Sequence, residues 1–245
     1  MSVSGPPIQS SILWAKQEAR FLAVLERGLV LLHDKLELPQ GEVDLNRELY
    51  FSLLSASREA NEDISPLCEC NNQPDPDDEK RATREGKRPD FQWVYLDRFE
   101  PDPNRSSKQF VVECKRLGFS TRTDWVLNRN YVDHGIVRFI NSQWGYARRL
   151  ASGAMVGYWQ SMEGDVILRD VNDAAKKHGI SPIVLTLDVQ EGDFFVKLEH
   201  ILERPFDISP FTLLHRWVDL RGKCSLSTKK KLRRKRAPRK NLPSS

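Results

Sequence analysis

The feature that most constrains the fold is a pair of β-rich segments joined by a connection dense in turn formers. Residues 88–99 have the sequence RPDFQWVYLDRF, and residues 108–115 have the sequence KQFVVECK. The connection, residues 100–107, is EPDPNRSS, in which proline, aspartate and asparagine favour turns. This arrangement predicts a β-hairpin with a loop longer than the tightest turns.

The register of this hairpin can be predicted from its ends. Paired residue numbers in an antiparallel hairpin add to a constant, and pairing Asp90 with Glu113 gives 203. The centre of that pairing falls between Pro101 and Asp102, inside the turn. Because strand side chains alternate between faces, Glu113 and Lys115 share one face. We therefore expect the Asp90 carboxylate beside the side chains of Glu113 and Lys115.

An acid two residues before a lysine is not specific by itself. The same pattern occurs in Asp78–Lys80 and Glu85–Lys87. Both copies lie in residues 65–87, a polar stretch broken by prolines that we predict to be an exposed loop. Glu113 and Lys115 on the predicted strand also have an alternative interpretation. They could form an ordinary surface ion pair, which contributes little to stability.

Helical periodicity dominates the N-terminal part of the chain. Apolar residues at helical spacing predict an amphipathic helix over residues 11–32, within an N-terminal helical segment of residues 1–40. A proline and a glycine then break the chain, and we predict a second helix from Asp44 with a leucine stripe facing the core. Glu48 lies directly before Leu49 of that stripe.

The second half of the chain mixes helical and strand patterns. Apolar spacing around residues 136–140 predicts a helix, and residues 172–178 end another. Residues 183–202 contain two predicted strands about a turn. Two further apolar segments, residues 154–159 and 211–220, have no periodicity that distinguishes a helix from a strand. No internal repeat is visible.

Composition limits the class of protein. A chain of 245 residues suits one main domain. Its apolar stretches are too short to cross a membrane, and its N-terminus does not resemble a secretory signal. Cys68 and Cys70 have no second Cys or His pair at ligand spacing, so reduced thiols in a cytoplasmic protein are expected rather than a zinc site.

Charge is distributed unevenly along the chain. Residues 229–240 carry nine basic residues and no acid, and subtracting them from the net charge of +4 leaves −5 for the remainder. We predict that residues 227–245 form a disordered basic tail that binds the phosphate backbone of a nucleic acid. The basic residues assigned to this contact are Lys229, Lys230, Lys231, Arg233, Arg234, Lys235 and Arg236.

The pair of motifs on the hairpin resembles a known enzyme signature. Arg88-Pro89-Asp90, followed by Glu113-Cys114-Lys115 on the paired strand, resembles the PD-(D/E)XK nuclease superfamily, which includes many restriction enzymes. The resemblance implies an α/β fold: a mixed central sheet flanked by helices, with a restriction endonuclease-like core. It also implies one nuclease domain over residues 1–226.

The resemblance further implies a metal-dependent hydrolysis. Asp90, Glu113 and Lys115 would be the catalytic residues, and Mg²⁺, or Mn²⁺ in its place, would be the cofactor. Asp90, Glu113 and the main-chain carbonyl of Cys114 would bind the ion. Glu48 would be a further ligand, directly or through water, and its alternative interpretation is an ordinary exposed acid of the helix. Phosphodiester hydrolysis places negative charge on phosphate oxygens, which a divalent cation stabilises. Lys115 would stabilise the same charge or orient the attacking water.

Basic and aromatic residues after the hairpin suit a nucleic-acid groove. Arg138, Arg148 and Arg149 are assigned to binding nucleic acid. The nearby aromatic residues are more often core residues, and these are Tyr131, Trp144 and Tyr146.

The predicted function is that of a metal-dependent DNA endonuclease in restriction or anti-phage defence. The alternative is a non-catalytic nucleic-acid-binding subunit, or an adaptor, of a larger defence or repair complex. RNA stays open as a substrate, and so do a protein partner in a defence complex and a homodimer, which cutting both strands would favour. No membrane partner is expected.

Overall fold

The structure, a computed structural model, describes residues 8–73, 76–120, 126–185, 194–206 and 208–225. Its helices are α1 Ile8–His33, α2 Glu42–Glu59, α3 Arg81–Arg84, α4 Leu127–Tyr131, α5 Val137–Ile140 and α6 Gly164–Lys177. A π-helical turn, Val132–Ile136, joins α4 to α5. The predicted helices at residues 11–32 and from Asp44 are confirmed, and both begin a few residues earlier than expected.

The strands form a mixed sheet and one small separate pair. They are β1 Leu38–Pro39, β2 Leu67–Cys68, β3 Phe91–Leu96, β4 Ser107–Leu117, β5 Ser152–Trp159, β6 Val184–Leu185, β7 Phe195–Leu202, β8 Phe211–Asp219 and β9 Cys224–Ser225. The main sheet has seven strands in the order β2-β3-β4-β5-β8-β7-β6. Strands β4, β5 and β8 run parallel, and the other neighbours are antiparallel.

The β3–β4 hairpin has the predicted register. Phe91 pairs with Val112, and Leu96 pairs with Ser107, so paired numbers add to 203. The turn between the strands contains a short 3₁₀ segment, Pro103–Arg105. Asp90 therefore precedes β3 directly opposite Glu113.

Helices cover both faces of the main sheet. On one face, Phe21 of α1 stacks on Trp93 and Phe110 of the hairpin. On the other face, Tyr131 at the end of α4 contacts the rings of His215 and Trp217 in β8. The α/β prediction of a mixed sheet flanked by helices is therefore confirmed. In the described part of the chain no helix is long and apolar enough to span a membrane.

Two predictions about segments change. The described part of residues 65–87 is irregular as expected apart from strand β2 and helix α3, but it is not exposed throughout, because Asn72 and Arg84 are buried against the 142–148 region. Asp78, in one of the two rival acid-x-lysine patterns, has only 6% of its side chain exposed and pairs with Arg84, so the expectation that it is solvated is wrong. The predicted turn at residues 190–192 lies outside the described residues.

Candidate functional site

Asp90 is held at the end of the hairpin by two hydrogen bonds. Its Oδ2 atom accepts from the main-chain N–H of Cys114 at 2.7 Å, and its Oδ1 atom accepts from Asn46 Nδ2 at 2.9 Å. Asn46, on α2, accepts in turn from the Tyr158 hydroxyl at 2.8 Å. The position of the Asp90 carboxylate is thus fixed from β4, β5 and α2 together.

Glu113 is the most deeply buried acid of the site. Its side chain has 0% exposure, because helical residues 132–140 pack over this face of β4. The Oε1 atom accepts from Lys115 Nζ at 2.8 Å and is also paired with Arg138. The Oε2 atom is buried without a hydrogen-bond partner among the described residues. Such an atom is unusual in a folded protein, because leaving a buried acceptor unpaired is costly.

Lys115 lies at the centre of the acidic groups. Its ammonium is 2.8 Å from Glu113, 2.9 Å from Glu42 Oε1 and 3.9 Å from Asp90 Oδ2, and it donates to the Cys114 carbonyl at 2.7 Å. Burial acts to lower the pKa of Lys115, but Glu113, Asp90 and Glu42 outweigh it and raise the pKa. In the metal-free arrangement the lysine is therefore charged.

The surroundings of Asp90 favour its neutral form. Burial is the main cause, and the charge of Glu113 adds to it. Lys115, the Cys114 N–H and Arg138 act in the opposite direction but only in part, so the pKa of Asp90 is raised to about 7. A carboxyl group whose pKa is raised toward neutral pH is a common property of functional sites.

The helix acid that reaches this site is Glu42, not Glu48. Glu48 pairs with Lys35 at 2.6 Å, so the structure does not bring it to Lys115. Glu42 lies in the first turn of α2, and its carboxylate contacts the Lys115 ammonium. The sequence signal for Glu42 was its place directly after the helix-breaking glycine. We call Glu42, Asp90, Glu113, Lys115 and Arg138 the hairpin cluster.

The basic residues predicted to bind nucleic acid separate into three groups. Arg138 joins the hairpin cluster, where it pairs with Glu113 and lies over the Trp144 ring at 4.2 Å. Arg148 and Arg149 line a different, small cavity of about 50 Å³, and Arg148 is 3.8 Å from Asp78. The seven tail residues, Lys229 to Arg236, lie outside the described residues. Tyr131 and Tyr146 are fully buried core residues.

A cleft of about 330 Å³ adjoins the hairpin cluster. Among the described residues, Leu127 is its one apolar lining residue, and the polar and charged lining residues are Glu42, Lys115, Arg116, Asn130, His134 and Arg138. Sequence reasoning missed Arg116 and Asn130, because neither residue belongs to a motif and their neighbourhood depends on how α4 packs against β4. The cleft places a largely cationic surface beside the buried carboxylates.

The chemistry of the cluster suits a small oxygen-binding cation such as Mg²⁺. Asp90 and Glu113 offer carboxylate oxygens, Cys114 offers its carbonyl, and the buried Oε2 atom of Glu113 has no other partner in the described residues. The Cys114 side chain is buried in the hydrophobic core. No group of three or more His, Cys, Asp or Glu side chains in the described ranges is arranged to hold a metal. An ion here would therefore depend on two carboxylates, a carbonyl and water, a set that Mg²⁺ accepts.

Comparisons with models of known protein families, with curated proteins and with solved structures found no match for this chain. The geometry of the site is therefore the basis for any function.

Proposed function

We propose that the protein is a divalent-metal-dependent nuclease that hydrolyses DNA phosphodiester bonds at the hairpin cluster. The observation that carries the proposal is Glu113, a fully buried carboxylate with one unpartnered oxygen beside Asp90 and Lys115. A buried acid with an unsatisfied oxygen favours a cation as its missing partner. The resemblance to PD-(D/E)XK nucleases supports the same assignment and the restriction endonuclease-like core.

Asp90, Glu113 and the Cys114 carbonyl would hold the ion. When bound, it would stabilise negative charge on the phosphate and lower the pKa of a bound water. The residues that place these ligands are already ordered, since Asn46 and the Cys114 N–H fix the Asp90 carboxylate. Glu42 is within reach as a ligand through water.

Lys115 has a second task in this proposal. Its ammonium now donates to Glu113 Oε1, Glu42 Oε1 and the Cys114 carbonyl, and the last of these oxygens is one that a metal would use. It also lines the cleft, so a small movement of its flexible side chain would let it donate to a phosphate oxygen. Arg138 would hold Glu113 in place during this movement, because it pairs with the same carboxylate.

The basic tail would add affinity for the DNA backbone near this site. Strand β9 pairs in parallel with β1, so Ser225 lies beside Pro39, a few residues before Glu42. The tail follows β9 directly and carries nine basic residues at positions 229–240. The four cysteines form no disulfide, which suits a cytoplasmic enzyme that meets foreign DNA in restriction or defence.

A second candidate is a non-catalytic nucleic-acid-binding subunit or adaptor. The observation that favours it is that Lys115 and Arg138 already neutralise Glu113 without any metal. Such a protein would keep the fold and the cationic cleft but would not cleave. RNA in place of DNA, a defence-complex partner and a homodimer remain compatible with either candidate.

Supercoiled plasmid DNA separates the two candidates. A closed circle has no ends, so nicking or linearisation requires an endonuclease. We expect cleavage with Mg²⁺ or Mn²⁺ and none with EDTA, while Glu113→Gln protein purified in the same way controls for contaminating nucleases. Metal-independent binding of the plasmid without cleavage would contradict the nuclease and favour the binding subunit.

A further inference from the structure

Three residues that line the cleft beside the hairpin cluster carry buried hydrogen-bond donors for which the described residues supply no acceptor. Arg116 Nε, Asn130 Nδ2 and Arg138 Nε are buried N–H groups without a hydrogen-bond partner among the described residues. All three residues line the same cleft. They belong to β4, α4 and α5, so their convergence is a product of tertiary packing and not of one local turn.

Unpaired buried donors are costly, and three of them around one space indicate an absent acceptor. The charges around the cleft also favour an anionic acceptor. Lys115, Arg116 and Arg138 line the cleft, and Glu42 is the one acid among the described lining residues. Glu42 is itself engaged by Lys115 at 2.9 Å. A ligand with several acceptor oxygens and negative charge fits these donors.

The side chains of both arginines are positioned for such a ligand. Arg138 uses Nη1 to pair with Glu113, its guanidinium lies over the Trp144 ring, and the residue lines the cleft while its Nε atom stays buried without an acceptor among the described residues. Within the described ranges, the one hydrogen bond of the Arg116 side chain is a long contact of 3.4 Å from Nη1 to the Gln40 carbonyl. Neither guanidinium must leave a strong partner in order to bind an anion with Nε.

We propose that this cleft binds a phosphate group of the nucleic-acid backbone, with Arg116, Asn130 and Arg138 as the donors. Phosphate oxygens match the forked donors of arginine, and the volume of about 330 Å³ accommodates one phosphate with its flanking sugar atoms. The assignment to a substrate phosphate rests on the proposed nuclease function, whereas anion binding by these donors does not. Arg138 then connects the phosphate directly to Glu113.

The test uses the full chain in EDTA, so that no cleavage can occur. Nitrogen-15 NMR of arginine Nε–Hε groups reports on each guanidinium separately, and Arg116→Lys and Arg138→Lys assign the two signals. The probes are tetrathymidylate and, in a separate titration, inorganic phosphate. We expect tetrathymidylate to shift both signals saturably, which binding to the basic tail alone cannot do.

Variants test the third donor. Asn130→Ala should weaken the site-specific affinity about tenfold, the effect expected for a lost hydrogen bond to a charged group. The matched control is Arg129→Gln on the same helix, whose side chain is 64% exposed and pairs with Asp133, and it should leave the affinity unchanged. An unchanged affinity in folded Asn130→Ala protein would remove Asn130 from the site and overturn the proposal.

Two other outcomes would also overturn it. If neither arginine signal moves while the oligonucleotide binds, the cleft holds only water. If inorganic phosphate moves the signals and tetrathymidylate does not, the cleft takes a free anion and not the backbone. Failure of the nuclease function gives a different pattern, because the signals would shift as expected while plasmid DNA stays intact with Mg²⁺.

Discussion

The hairpin cluster and a second group, which we call the loop cluster, each bury an acid against an arginine. The loop cluster consists of Asp78, Arg84 and Arg148. Asp78 accepts from the Lys80 main-chain N–H at 2.9 Å and pairs with Arg84, and Arg84 Nε donates to the Ser142 carbonyl at 2.6 Å. These bonds tie residues 78–84 to the 142–148 region. Asp78 is thus engaged by its own neighbours.

The hairpin cluster differs in how its charges and bonds are balanced. Three carboxylates surround Lys115, and one oxygen of Glu113 has no partner within the described residues. The patterns also differ in geometry, since Glu113 and Lys115 are bonded at 2.8 Å, while the Lys80 side chain is exposed and reaches Ser142 instead. The acid-x-lysine pattern therefore belongs to a structural ion-pair network in the loop cluster and to a candidate functional site in the hairpin cluster.

The largest expected effect is the loss of cleavage from the hairpin cluster. We expect Asp90→Asn, Glu113→Gln and Lys115→Ala each to slow plasmid cleavage by at least about a thousandfold, because each change removes a charge from the reacting centre. Initial rates at saturating Mg²⁺ measure this. The matched control is Glu85→Gln, from a rival acid-x-lysine pattern, which should cleave like the wild type. Equal loss in the control would contradict the placement of the site.

The loop cluster should affect stability instead. Asp78→Ala leaves Arg84 buried without its acid, so we expect the free energy of unfolding to fall by about 3 to 5 kcal/mol. Urea denaturation followed by circular dichroism measures the change. The protein that remains folded should cleave at the wild-type rate. A stable Asp78→Ala variant that has lost activity would move function to the loop cluster.

Asp90 should make stability depend on pH in the absence of metal. Its pKa is raised from 3.8 to about 7 in the folded state, so between these pH values the folded protein holds a proton that the unfolded chain lacks. The stabilisation is complete below about pH 4 and is lost as pH rises through 7, by at most about 4 kcal/mol. Urea denaturation in EDTA at pH 4.5, 6 and 7.5 measures it. Asp90→Asn should lack this slope, and an identical slope would refute the raised pKa.

The smallest effect on either cluster is expected from deleting residues 227–245. The body should keep its melting temperature and its cleavage rate at saturating DNA. Each phosphate contact contributes about 0.9 to the slope of log affinity against log salt, so the slope should flatten by several units. Fluorescence anisotropy with labelled DNA at increasing salt, in EDTA, measures this. A slope equal to that of the full chain would show that the tail does not contact DNA.

The sequence was informative where local rules decide the structure. Strand alternation and the turn residues were enough to place Asp90 opposite Glu113 in the observed register. Parallel strand β5 could not be assigned a type, because it is buried on both faces and shows no alternation of polar and apolar residues.

The rest of the site depends on distant packing. The way helix α2 crosses the sheet decides which of its acids reaches the hairpin cluster. Glu42 contacts Lys115, whereas Glu48 pairs with Lys35. Arg116 and Asn130 meet only because α4 packs on β4. The burial of Asp78 and Arg84 similarly requires the 142–148 region, which lies far away in sequence.

Locating a metal ion tests the central claim most directly. Crystals grown with MnCl₂ would show the ion by its anomalous scattering, independently of any activity. We predict one Mn²⁺ in direct contact with Asp90, Glu113 and the Cys114 carbonyl, with the Lys115 ammonium displaced from those oxygens. The Glu113→Gln protein should show no ion at this position. A wild-type crystal with no anomalous peak at the hairpin cluster, or with its only peak at Asp78, would contradict the account.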